Sequence, residues 1–115
     1  MDTTRKLTLR NERECKCINL EYLLYVCVDD YLSTFYCENN VRFTCTMSLL
    51  EVEIVLPNNF FRINRSCIVN IYAIDTIYLQ KRTILLSNSD IFIVSQQKMG
   101  QLQEVLTSCN DTLTS

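Results

Sequence analysis

Arg62 and Arg65 stand three residues apart in "PNNFFRINRSCIVNI" (57–71), and no Asp or Glu lies among those fifteen residues. A guanidinium is a planar fork of N–H donors, suited to paired acceptors such as a carboxylate, a phosphate or the O6/N7 edge of guanine. Around the two arginines, Phe60, Phe61, Ile63, Cys67, Ile68 and Val69 belong in a core. The segment therefore reads as one that a core holds and that presents charge outward. One reading is a surface ion pair with a distant acid, worth about 0–1 kcal/mol. The other is a base-edge contact on a preorganised loop, worth about 1–3 kcal/mol of discrimination. The residues alone lean to the ion pair and leave both open.

Other chemistries find little support. The chain has no histidine, which removes the usual general base and the Ser–His and Cys–His pairings. It has one glycine, so it cannot build a glycine-rich phosphate loop. Glu51 and Glu53 are two apart in a helical stretch and do not face each other, so they are not a catalytic pair. Cys15 and Cys17 are separated by one residue rather than two, and no second pair completes a tetrahedral site. On a strand they share a face, so both are expected at the core or its boundary. The seven cysteines are odd in number and scattered, which points to free thiols in a reducing cytosol. Cys67 is expected to be buried packing. No enzyme activity, cofactor, metal or small-molecule substrate is expected.

The elements that must position these residues are mostly strands. A length of 115 residues suits one domain, and 48% hydrophobic residues suffice for a core. "YLLYVCV" (22–28) and "YLSTFYC" (31–37) are rich in β-formers and flank the turn pair Asp29-Asp30. "VRFTC" (41–45) alternates as a half-buried strand should, after the polar turn Glu38-Asn39-Asn40. "AIDTIYL" (73–79), "TILLS" (83–87) and "IFIV" (91–94) add three more, the last two joined as a hairpin by "NSD". "RKLTL" (5–9) and "CKCI" (15–18) form an opening pair. The six tyrosines are expected in core and edge packing of these strands. Ser48 with Glu51 is a capping-box pattern before a short helix that Pro57 stops. Ser95 can cap a second helix, with Met99, Leu102 and Leu106 on one face. The longest apolar run, 22–28, is too short to span a membrane. The body is expected over 5–107, with 1–4 and 108–115 as flexible ends.

Net charge is −2, which taken alone argues against a nucleic-acid binder. The distribution says otherwise. Arg62, Arg65, Lys81 and Arg82 meet only Asp75 over 62–82, and Arg5, Lys6, Arg10, Arg13 and Lys16 stand against Asp2, Glu12 and Glu14 in the N-terminal stretch.

The order of strands, a short helix ending in Leu-Pro, then "NNFFRINRSCIVNIYAIDTIYLQKRTILLSNSDIFIVSQQKMGQLQEVL" resembles the LytTR-type DNA-binding domain, the output module of many bacterial response regulators of two-component systems. The resemblance runs from about Lys6 to Leu106 and is sharpest at "FFRINRSCIVNI". It implies a mostly-β single domain of stacked antiparallel sheets with short helices. It also implies binding to tandem repeats in double-stranded DNA, with loops entering successive major grooves and two protein copies at one site. It implies three contact regions: the early hairpin with Tyr31 and Ser33, the "RINRS" segment with Arg62, Asn64 and Arg65, and the start of the last helix with Gln96, Gln97 and Lys98. The family commonly has His where Asn64 stands, and one or two arginines where Gln96 and Gln97 stand. Gln can still pair with adenine, and a helix N-terminus favours phosphate. Two further expectations are open: a stand-alone regulator, to which Met1 points, or a piece of a larger one. A degenerate module that binds a DNA-binding relative, as a dimer partner, rather than DNA is the alternative function.

Overall fold

The runs with least alternation lie in the middle of the molecule. The computed structural model describes residues 5–108. Of the expected tail 108–115, Ser108 ends the last helix and 109–115 lie outside the described residues, as do the first four residues. Strands β3 (Leu23–Asp29), β4 (Leu32–Cys37), β5 (Arg42–Thr46), β6 (Phe60–Arg62) and β7 (Cys67–Asn70) form one sheet in the order β5-β4-β3-β7-β6. All its neighbours are antiparallel.

This sheet is covered on both faces, so β7 reads as "CIVN" and β3 as "LLYVCVD" rather than as strict alternation. On one face Val26, Phe35, Phe43 and Ile68 pack with Leu9 and Ile18, and with Val52 and Leu56. Leu9 and Ile18 come from the hairpin β1 (Lys6–Arg10) and β2 (Cys15–Asn19), and Val52 from helix α1 (Leu49–Val55). On the other face Tyr25, Cys67 and Val69 pack with Ile84, Leu86, Val94 and Leu102. Ile84 and Leu86 belong to β9 (Thr83–Leu86), which pairs with β8 (Ile74–Tyr78) and β10 (Ile91–Ile93); Val94 follows β10, and Leu102 lies on helix α2 (Gln96–Ser108). The result is the stack of antiparallel sheets with short helices that the sequence indicates. Tyr25 stitches two layers together: its hydroxyl donates to Asp90 at 2.6 Å, and its ring stacks on Tyr36.

The capping box forms as written. Glu51 N–H donates to the Ser48 hydroxyl, and the Ser48 N–H donates to the Glu51 carboxylate at 2.8 Å. α2 buries Leu102 fully and packs Met99 and Leu106 partly, as the spacing indicates.

Four expectations are corrected. The first hairpin turns at Asp30-Tyr31, not Asp29-Asp30, because Asp29 pairs with Leu32 and Asp30 takes the left-handed conformation (φ 57) that Asp tolerates. Cys15 and Cys17 are exposed: strand parity gives the inward face to Ile18, so its odd-numbered neighbours point out. Residues 60–62 and 67–70, read only as a segment held by the core, are two paired strands. Of the tyrosines, Tyr25 is buried, whereas Tyr22, Tyr31 and Tyr72 are mostly exposed because they sit on turns rather than inside strands.

Candidate nucleic-acid interface

Antiparallel pairing brings particular strand ends together. The C-terminal ends of β3, β5 and β6 and the N-terminal ends of β4 and β7 all fall at one end of the central sheet. The β3–β4 turn and the β6–β7 loop both emerge there.

The loop is closed by Ile63, whose side chain is fully buried and whose N–H donates to the Cys67 carbonyl at 3.0 Å. The Ile63 carbonyl accepts from the N–H of Ser95 at 2.9 Å, which fastens the loop to the start of α2. Asn64 completes the tie. Its Oδ1 accepts from the N–H groups of Ser66 and Cys67, and its Nδ2 donates to the Ile93 carbonyl at 2.8 Å. The amide so committed is a bracket joining loop to β10 and has little left to offer a base.

Arg62 is also turned inward along the loop. Its Nε donates to the Asn64 carbonyl at 3.2 Å, and an Nη reaches the Arg65 carbonyl at 3.5 Å. The other Nη lies 3.6 Å from Glu53 of α1, the one ion pair among the described residues. Strand parity explains the partner: Arg62 shares the face of Phe60 and Ile68, over which α1 packs. Arg62 thus has the acid partner that the ion-pair reading expects. Arg65 differs. It is exposed, and among the described residues its side chain has no hydrogen bond or ion pair.

Gln96 and Gln97 are exposed on the first turn of α2, immediately after the Ser95 tie. Lys98, on the same turn of α2, lies over the Phe61 ring at 5.7 Å, a cation–π contact. Tyr31 is 73% exposed at the tip of the β3–β4 turn. Ser33 is a correction: it is fully buried, with its hydroxyl donating to the Met47 carbonyl at 2.7 Å, because it shares the inward face of Phe35. It has no surface to offer a partner.

The fold adds basic residues that the sequence could count but not place. The Arg82 carbonyl accepts from Val94 N–H at 2.8 Å, which sets the Lys81-Arg82 turn beside the start of α2. Asn11 donates to the Thr44 carbonyl at 3.0 Å, so the β1–β2 turn leans on β5. Arg10 and Arg13 line an open groove there with Leu32 and Thr46, next to the β3–β4 turn. Asp29 and Asp30 are the exposed acids of the same turn. No local motif signals this gathering, since it depends on which turns the sheet order makes neighbours.

The LytTr DNA-binding domain family matches residues 13–107. A solved structure from Bacillus cereus is similar along most of both chains. It is the LytTr DNA-binding domain of a protein whose name describes it as a methyl-accepting/DNA response regulator. The likeness has a TM-score of 0.73 at 30% identity, covering 88% of this chain and 95% of that one. No curated protein sequence matches significantly. No helix among the described residues is long and apolar enough to cross a membrane. With the family matched over most of its length and the fold shared with a solved member, the chain belongs to the LytTr DNA-binding domain family.

Proposed function

We propose that this domain reads duplex DNA sequence-specifically for a cytoplasmic bacterial transcription regulator, with the 63–66 loop and the first turn of α2 entering the major groove. The observation that carries the reading is the division of labour in the loop. Ile63, Asn64 and Arg62 spend their groups on holding it, whereas Arg65 is exposed and its side chain has no partner among the described residues. A guanidinium held so on a fixed backbone suits the O6/N7 edge of guanine. Gln96 and Gln97 fit adenine or phosphate, and Lys98, Arg82 and Arg10 fit phosphates flanking the loop. Tandem sites bound by two copies follow from the likeness to the family.

The test is selection of duplexes from a randomised pool at low salt by the wild type and by Arg65→Ala. Enrichment of a repeated motif by the wild type, lost in the variant, supports the reading. If neither protein retains duplex, the domain binds a protein partner instead, and the glutamines in place of basic residues at the start of α2 favour that second reading.

A further inference from the structure

We propose that Cys27 and Cys67 form a redox site that a hydroperoxide closes to a reversible disulfide at the base of the 63–66 loop. The two residues are directly opposite in the β3–β7 pairing, and their Sγ atoms are 3.1 Å apart. A disulfide bond is about 2.05 Å, so closure needs a movement of about an ångström. The pairing type favours it. Cys67 gives its N–H to Asn64 and its carbonyl to Ile63, while Val28 N–H bonds the Ser66 carbonyl. The Cys27–Cys67 pair is therefore the non-hydrogen-bonded kind, in which the side chains of facing strands lie closest.

The chemistry is balanced by the peroxide alone. The two thiols share a hydrogen bond in which either sulfur can donate; with Cys67 accepting, its pKa falls while that of Cys27 rises. The Cys67 sulfur attacks one peroxide oxygen, the O–O bond breaks, and water leaves with the thiol proton. The Cys27 sulfur then displaces the sulfenic oxygen as a second water, and the S–S bond forms. Two thiols lose two hydrogens and hydrogen peroxide becomes two waters. A thiol reductant opens the bond by exchange, which makes closure reversible. Closure draws Cys67 toward β3 and away from its bonds to Asn64 and Ile63, the bonds that hold Arg65 in place.

The experiment uses the full chain with Cys15, Cys17 and Cys109 changed to Ser, so that only Cys27, Cys37, Cys45 and Cys67 remain. The folded protein is treated with hydrogen peroxide, alkylated, digested and weighed. The expected product is a Cys27–Cys67 cross-linked peptide pair, lighter by two hydrogens, absent after reductant and absent when Cys27→Ser is added. Free alkylation of both residues, sulfinic acid without a cross-link, or a cross-link formed only in denaturant overturns the proposal. The effect on the loop rests on the DNA reading and is measured apart. Oxidation should lower the affinity for a duplex retained by the reduced protein at least about fivefold. A cross-link without that loss rejects the hold on the loop. Reduced protein that binds no duplex rejects the DNA reading and leaves the cross-link result standing.

Discussion

At the scale of single residues, the loop separates the group that reads from the groups that hold. Arg65→Ala should cost about 1–3 kcal/mol at a selected site and little on unrelated duplex. Arg62→Lys keeps a charge near Glu53 but loses the fork that reaches the Asn64 and Arg65 carbonyls together. It should therefore weaken binding to every sequence and broaden the loop's amide resonances. Asn64→Ala leaves two N–H groups without their acceptor and should destabilise by about 1–3 kcal/mol, read by chemical denaturation. The arginine pair was legible as a pair. Their division was not, because it depends on Glu53 of α1, which the fold brings beside Arg62. Ser33 could have been placed by parity with Phe35. The strand's own alternation outweighs the resemblance to a contact region there.

At the scale of elements, the capping box of α1 carries a pH signature. Hydrogen bonds from Ser48 hold the Glu51 carboxyl below its ordinary pKa. A group with a depressed folded pKa contributes stability above its unfolded pKa and loses it as pH falls through the folded one. Stability of the wild type should fall as pH drops below about 4.5, with a weaker dependence in Glu51→Gln, measured by urea midpoints across pH 2–6. Ser48→Ala should cost about 0.5–2 kcal/mol at neutral pH, since it removes the cap itself. The helices and most strands were readable because caps, turn residues and apolar periodicity agree. β6 was not, since three residues ending in an arginine carry no period. Its strand character comes from pairing with β7.

At the scale of the whole molecule, a net charge of −2 conceals a gathering of basic side chains, with Glu12, Asp29 and Asp30 among them. Arg10 and Arg13, Arg65, Arg82, and Lys98 come from four separate stretches, and the sheet order gathers these at or beside one end. Composition could not show that. Each phosphate neutralised should add about −0.9 to the slope of log affinity against log salt. Lys98→Ala should therefore flatten that slope by about one contact without changing the preferred sequence, and Arg10→Ala should do the same if the β1–β2 turn lies along the backbone.

The measurement closest to the central claim is the affinity of wild type and Arg65→Ala for a selected duplex and for a scrambled one, each at two salt concentrations. A loss in the variant of about five- to hundredfold on the selected duplex, with the scrambled duplex and the salt slope nearly unchanged, is the predicted result. Equal losses on both duplexes would make Arg65 a phosphate contact, and the claim that this loop reads sequence through it would be wrong.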